Sequence, residues 1–181
     1  DNIFYGQGLI NILNKAVKRN KGATIFGYAV ANPSSFGVIE FDKNMKPKKI
    51  TEKPKKPKSK YAVTGLFFYD NNVVKYAENI KPSIRGELEI TTINEIYLKK
   101  KNLKVELFGR GFAWLDTGTQ ENLVEAGNFI STIEKRQGLK TACLEEIGYN
   151  KKWITRNQLK QTIKKIGKNE YSDYLKTILK N

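Results

Sequence analysis

An aspartate stands where an apolar run ends and a helical pattern begins, in the segment FAWLDTGTQ over 112–120. Residues 113–115 predict a short buried strand that Asp116 ends, and Asp1 likewise falls at a predicted strand end, in the segment DNIFYG. Because ligands in open α/β sheets lie beyond the carboxyl ends of strands, two carboxylates there predict a Mg²⁺ site with room for substrate phosphates. A strand-exit turn or a helix N-cap explains Asp116 equally well.

Two charged neighbours, Glu52 and Lys53, lie in the segment TEKP over 51–54. A glutamate accepts hydrogen bonds from sugar hydroxyls, and a lysine supplies positive charge to a phosphate. In an extended segment the two side chains face opposite ways, unless the proline that follows twists the chain. Taken alone, the segment is more typical of a solvated charged loop.

An arginine, Arg85, precedes a predicted helix over 87–101 in the segment SIRGELEIT. Arginine suits bidentate contact with a phosphate, and a helix N-terminus adds N–H donors for an anion. Glu87 and Glu89 fall in the first turn of this predicted helix and could instead pair with Arg85. The sequence leaves both roles open.

Two glycines and a tryptophan bear on the same question. Gly65 lies inside the apolar run over 61–70, where a glycine often marks the close approach of a ligand or another backbone. Gly37 precedes a strand and also suits an ordinary turn. Trp114 fits the core better than a ligand platform.

Strands and helices alternate along most of the chain and would position these residues. Helices are predicted over 8–19, 73–80, 87–101 and 119–135, and strands over 23–30, 37–42, 61–70, 103–109 and 112–116, with the strand over 37–42 half-exposed. From about residue 138 only helices follow, over 143–152, 156–166 and 169–179. This order predicts an α/β fold with a mixed sheet, divided into domains 1–138 and 139–181.

The 181-residue chain carries 33 Lys+Arg against 18 Asp+Glu, a net charge of +15. Its scattered lysines, with no RNP-like or zinc-finger spacing, argue against nucleic acid as a partner. No apolar run approaches the roughly 20 residues that span a bilayer, so we expect no membrane partner. The absence of histidine excludes His-based catalysis and His metal ligands within this chain, and the single Cys143 suits a reducing cytoplasm.

In order, the segments FGVIEFD, ITEKP, YAVTGLFFYD, RGELEIT and GFAWLDTGT resemble the glucose-1-phosphate thymidylyltransferases, and the likeness extends through the tail. RGELEIT and WLDTGT are the most specific pieces. The resemblance implies a Rossmann-like sugar nucleotidyltransferase fold with a mixed central sheet and a helical C-terminal tail. It implies the synthesis of dTDP-glucose and pyrophosphate from dTTP and glucose 1-phosphate with Mg²⁺, by a cytoplasmic homo-oligomer of the dTDP-rhamnose pathway and cell-surface polysaccharide biosynthesis.

The resemblance also implies roles for individual residues. Asp1 and Asp116 correspond to the Mg²⁺ ligands, and Lys53 and Arg85 to the contacts with the sugar phosphate. The implied catalytic residues are Lys53, Arg85 and Asp116, and the implied substrate contacts are Asn2, Gly37, Glu52, Lys53, Val63, Phe67, Arg85 and Trp114. Two positions depart from the family: Phe36 replaces a common tyrosine, and Asn150 replaces an arginine that some relatives carry at a regulatory nucleotide site.

The family's glycine-rich nucleotide-binding loop has no counterpart in this sequence. We therefore expect the chain to be the C-terminal portion of a longer enzyme, with its N-terminal part missing, and to be inactive alone. Three alternatives stay open: a sugar nucleotidyltransferase of other base or sugar specificity, a noncatalytic sugar-phosphate-binding module, and a basic nucleic-acid binder.

Overall fold

The computed structural model of the protein describes residues 2–19 and 21–180. They form two compact units, over residues 1–119 and 120–181. The first unit holds the strands β1 (Asn2–Gly6), β2 (Ala23–Ala29), β3 (Gly37–Phe41), β4 (Pro47–Glu52), β5 (Tyr61–Tyr69), β6 (Leu103–Phe108) and β7 (Phe112–Asp116), and the helices α1 (Leu9–Arg19), α2 (Asn72–Asn79) and α3 (Ile90–Lys99). Most of the predicted elements of this unit are therefore confirmed, although their ends differ by a few residues.

The strands of the first unit form two sheets. The larger has the order β4-β3-β5-β2-β6, and the smaller pairs β1 with β7. In the larger sheet β2 runs parallel to β6, while β2–β5, β5–β3 and β3–β4 are antiparallel. The prediction of a mixed sheet is therefore confirmed.

Both faces of the larger sheet are covered by apolar side chains. Ile25 and Phe26 are consecutive in β2 and point to opposite faces, yet neither is exposed. Ile25 belongs to a cluster with Ile39 and Ile50, and Phe26 to one with Phe108. Each such side chain contributes roughly 1.5–3 kcal/mol by its burial. The prediction that β3 is half-exposed is wrong for its first half, because Val38 and Ile39 point to opposite faces of the sheet and both are buried.

The helix predicted from residue 87 begins later. The structure starts α3 at Ile90, so Glu87 and Glu89 precede it and do not occupy its first turn. Near its C-terminal end, the Tyr97 hydroxyl donates to Asp70 Oδ1 over 2.7 Å, and this bond holds the pKa of the Asp70 carboxyl below its usual range. Through Tyr97, α3 is therefore tied to the end of β5.

The second unit is helical. It consists of α4 (Gln120–Gln137), α5 (Leu144–Asn150), α6 (Arg156–Ile166) and α7 (Glu170–Ile178). Capping boxes fix the starts of α6 and α7, through Thr155 with Gln158 and through Asn169 with Ser172. The unit begins at residue 120, ahead of the predicted domain boundary at 138, since α4 is grouped with the helices that follow it. No helix in the described part of the chain could span a membrane.

Candidate functional site

An open pocket of about 250 Å³ lies at the edge of the first unit. Its walls come from β1, β7, the start of β3, the end of β4, the middle of β5 and the start of α3. The residues that line it are Asn2, Ser35, Phe36, Gly37, Glu52, Lys53, Val63, Thr64, Gly65, Phe67, Ile90, Thr91, Trp114 and Asp116. All the predicted site residues are among them except Arg85, which lies at the rim beside Glu52, and Asp1, which lies outside the described residues.

The carboxylate of Glu52 accepts a short hydrogen bond from a threonine hydroxyl. Thr91, which is buried at the start of α3, donates from Oγ1 to Glu52 Oε2 over 2.5 Å. Gly37 pairs with Glu52 across β3 and β4, and a Cβ there would lie 3.2 Å from Glu52 Oε2 and 3.1 Å from Thr91 Oγ1. Glycine at position 37 therefore leaves space for this hydrogen bond, and Glu52 has a fixed orientation in the pocket.

Lys53 follows Glu52 without continuing the strand. Its φ of 38° lies in the left-handed region, at a cost of about 1 kcal/mol for a residue with a side chain. Its backbone N–H donates to the Phe36 carbonyl over 3.0 Å. The chain therefore twists ahead of Pro54, and Glu52 and Lys53 line the same pocket although they are neighbours.

Trp114 is part of the pocket wall and also packs against other side chains. Its Nε1 donates to Asn2 Oδ1 over 2.7 Å, and its ring centroid lies 5.0 Å from that of Phe36. A Cβ at Gly65 would lie 2.3 Å from Asn2 Nδ2, so this glycine makes room for Asn2. The close approach that the glycine indicated is thus a contact with a side chain of β1.

Asp116 ends β7 and pairs with Asn2 of β1 across the smaller sheet. A Cβ at Gly118 would lie 3.5 Å from both of its carboxylate oxygens, so a glycine at position 118 keeps a side chain away from the carboxylate. The described residues contain no cluster of three or more His, Cys, Asp or Glu for a metal. Mg²⁺ is commonly held by one or two carboxylates together with substrate phosphates, and Asp116 at the pocket wall fits that donor set.

Arg85 is surrounded by carboxylates. Its Nη2 lies 3.0 Å from Glu87 Oε2, and its Nη1 lies 3.6 Å from Glu89 Oε1 and 3.8 Å from Glu52 Oε1. The sequence allowed either pairing with glutamates or contact with a ligand phosphate. The pairing is present in the structure, and the contact with Glu52 keeps the guanidinium at the pocket rim.

Sequence reasoning assigned no role to Thr91. It is the last residue of the segment RGELEIT, and its type alone does not distinguish it from Thr92 beside it. Its importance follows from the contact with Glu52, which is 39 residues away in the sequence. Only the packing of α3 against β4 brings the two side chains together.

The pocket combines apolar walls, a fixed carboxylate, a lysine and a second carboxylate suited to a cation. These features define an α/β protein with a pocket whose side chains suit a small polar, anionic ligand. The nucleotidyl transferase family matches residues 1–133, and the chain belongs to that family.

Proteins named glucose-1-phosphate thymidylyltransferase are close in sequence. The chain is 49% identical over 180 residues to that of Neisseria meningitidis, covering 99% of this chain and 62% of the relative. It is 52% identical over 180 residues to that of Xanthomonas campestris pv. campestris (99% and 61%), and 50% identical over 179 residues to that of Mycolicibacterium smegmatis (99% and 62%). The resemblance predicted from the motifs is confirmed, and the chain spans about three fifths of the length of these relatives.

Solved structures confirm the fold. A Bacillus anthracis protein described as a glucose-1-phosphate thymidylyltransferase, crystallised in complex with sucrose, has a TM-score of 0.61 at 40% identity, over 71% of this chain and 51% of that one. A UDP-glucose pyrophosphorylase in complex with UDP-glucose has a TM-score of 0.61 at 20% identity, over 72% of this chain and 53% of that one. The second likeness concerns the fold alone, and both agree with the predicted sugar nucleotidyltransferase fold.

Proposed function

We propose that this chain forms the sugar-phosphate side of the active site of a glucose-1-phosphate thymidylyltransferase. The enzyme would make dTDP-glucose and pyrophosphate from dTTP and glucose 1-phosphate. The observation that carries the proposal is the meeting of Glu52, Lys53 and Asp116 in one pocket. Relatives that bear this name and are about 50% identical over nearly the whole chain support it.

Each type of side chain in the pocket suits one part of glucose 1-phosphate. Glu52 accepts hydrogen bonds from sugar hydroxyls, and its contact with Thr91 fixes the direction in which it does so. Val63, Phe67 and Trp114 offer apolar surface to the faces of the ring. Gly37 and Asn2 complete the sugar subsite. Lys53 and Arg85 would carry the positive charge that the phosphate requires.

The reaction needs no general base. A phosphate oxygen of glucose 1-phosphate is already anionic at neutral pH, so it can attack the α-phosphorus of dTTP while the bond to the departing pyrophosphate breaks. This agrees with a chain that contains no histidine. Lys53 and Arg85 would reduce the repulsion between the two anionic substrates and align the attacking oxygen. Mg²⁺, held by Asp116 and by Asp1, would neutralise phosphate charge when bound.

The finer features of the enzyme are proposals of the same kind. They include Mg²⁺ as the cofactor, a homo-oligomeric cytoplasmic enzyme, and a place in the dTDP-rhamnose pathway and cell-surface polysaccharide biosynthesis. The free thiol of Cys143 is buried and suits a reducing compartment.

Calorimetric titration with glucose 1-phosphate tests the sugar-phosphate assignment. Lys53→Met should weaken binding by about tenfold or more, because a charge-assisted contact to the phosphate is lost. Lys56→Met is the matched control, since it removes the same charge from an exposed position in the same loop and should bind like the wild type. Equal affinities for the two variants would contradict the role of Lys53. Pyrophosphate release with dTTP and Mg²⁺ is the second readout.

A further inference from the structure

The guanidinium of Arg85 faces more negative charge than it can neutralise. Glu52, Glu87 and Glu89 all lie within 4.0 Å of it, so three carboxylates share one positive group at the rim of the pocket. A bidentate contact with a phosphate uses two parallel N–H donors of the guanidinium fork. The carboxylates lie beside Nη1 and Nη2, so a phosphate held by this pair of nitrogens has to compete with them for the same donors.

Two of the three carboxylates, those of Glu52 and Glu89, also accept hydrogen bonds from residues other than Arg85. Glu89 is largely buried, with 11% of its side chain exposed, and it accepts a hydrogen bond from Ser83 Oγ over 3.0 Å. Glu52 accepts one from Thr91. Both are anchored by partners other than Arg85, so they would stay in place if the arginine moved.

Glu87 differs from the other two. Its side chain is 60% exposed, and its contact with Arg85 Nη2, at 3.0 Å, is the shortest of the three ion pairs. An exposed carboxylate regains its hydration readily once the pair opens, so this contact costs little to break. It is also the contact that occupies Nη2, which a bidentate phosphate would need.

The backbone around Arg85 forms a turn that is held by its own hydrogen bonds. Ser83 N–H donates to the Glu87 carbonyl and Gly86 N–H to the Ser83 carbonyl, each over 2.8 Å. Ser83 Oγ also accepts from Arg85 N–H over 3.1 Å. The turn can therefore stay intact while the arginine side chain alone exchanges partners.

We propose that Glu87 sets the affinity of the pocket for sugar phosphates, by holding Arg85 in an ion pair that the ligand phosphate must displace. The inference rests on the proposed function, because it assumes that the ligand carries a phosphate. An uncharged sugar does not compete for Arg85 and is unaffected. Glu87 thus discriminates between ligands through a competing contact, without touching the sugar itself.

Calorimetry on the chain measures this competition directly. Glu87→Gln should bind glucose 1-phosphate about two- to fivefold more tightly than the wild type, the range expected for an exposed ion pair. The affinity for glucose should not change. Glu78→Gln, on α2, removes the same charge from an exposed residue outside the Arg85 cluster, so it corrects for net charge and should leave both affinities unchanged.

A second readout does not depend on the ligand. In NMR spectra of the free protein, the Arg85 Nε–Hε resonance should shift in Glu87→Gln and stay in place in Glu78→Gln. Adding glucose 1-phosphate to the wild type should also move it, because the phosphate replaces Glu87 as the anionic partner of the guanidinium.

The outcomes separate the two proposals. Suppose that the wild type binds glucose 1-phosphate and that Glu87→Gln binds it no more tightly, or that Glu78→Gln tightens binding equally. Either result overturns the role of Glu87 and leaves the proposed function standing. If neither the wild type nor Glu87→Gln binds glucose 1-phosphate, the proposed function fails, and the inference fails with it. Tightening in Glu87→Gln together with the NMR shift supports both.

Discussion

The two units of the chain are stabilised in different ways. The helical unit has a compact apolar cluster around Leu159 and Leu175, and two of its helices, α6 and α7, start at capping boxes formed by residues three apart. The first unit instead joins distant segments around an open pocket, with a left-handed Lys53 and an arginine that three carboxylates share. Crowded charge is found at the pocket, where a ligand would bind, whereas left-handed non-glycine residues occur in both units, at Met45, Lys53 and Lys101 in the first and at Ala142 and Lys152 in the second.

This difference predicts that substitutions in the two units will affect different measurements. Changes at the pocket should alter binding or turnover while leaving the fold intact, since most of the side chains involved are partly exposed, although Thr91 is buried. Changes in the helical cluster should lower stability, because they remove buried apolar contacts. The three substitutions below test this comparison, from the largest expected effect to the smallest.

Asp116→Asn should have the largest effect. In the enzyme that contains this chain, we expect turnover to fall by about 100-fold or more, because the variant lacks the carboxylate proposed to hold Mg²⁺ at the substrate phosphates. Pyrophosphate release measures the loss, and circular dichroism should show an unchanged fold. Near-normal turnover over a Mg²⁺ titration would refute the metal assignment.

Leu175→Ala tests the helical unit. Leu175 is fully buried, so its truncation should lower the free energy of unfolding by about 2–5 kcal/mol, through lost burial and the cavity that remains. Urea denaturation followed by circular dichroism measures this change. Leu144→Ala is the control, since Leu144 is 76% exposed and its truncation should cost less than about 0.5 kcal/mol. Similar losses for the two variants would contradict the packing described.

Thr91→Val should have the smallest effect. The change keeps the shape of the side chain and removes the hydroxyl that fixes Glu52, so glucose 1-phosphate should bind about three- to tenfold more weakly. Thr92→Val makes the same change at the next position and should bind normally. A loss of thermal stability in Thr91→Val with unchanged affinity would show that this hydrogen bond serves the fold and not the site.

Local signals in the sequence predicted the helical unit well. The helices over 156–166 and 169–179 begin within a residue of α6 and α7, and the structure shows that a capping box among residues close in the chain fixes each start. The start of α3 was predicted less well. Glu87 and Glu89 are good first-turn residues by type, but in the structure they precede the helix and pair with Arg85.

The candidate site was predicted in its membership but not in its geometry. The motifs pointed to Glu52, Lys53 and Asp116, and the structure brings all three into one pocket. The role of Thr91 and the contact of Arg85 with Glu52 could not be predicted, because they depend on distances between side chains from separate segments, whereas pairing of Arg85 with Glu87 and Glu89 was one of the two roles that the sequence left open. The position of Asp1 lies outside the described residues, so its role as a metal ligand stays a prediction.

The sequence by itself determined the mixed α/β class, the helical tail and the family. Hydrophobic periodicity, helix caps and ordered motifs are properties of short segments, so they can be recognised without knowing the tertiary structure. The tertiary structure alone decided which side chains meet. It shows that Lys53 turns into the pocket beside Glu52 through a left-handed backbone, that Gly65 makes room for Asn2, and that Thr91 fixes Glu52. The contacts of Gly65 with Asn2 and of Thr91 with Glu52 join residues far apart in the chain, and only the packing of strands and helices sets the distances between them.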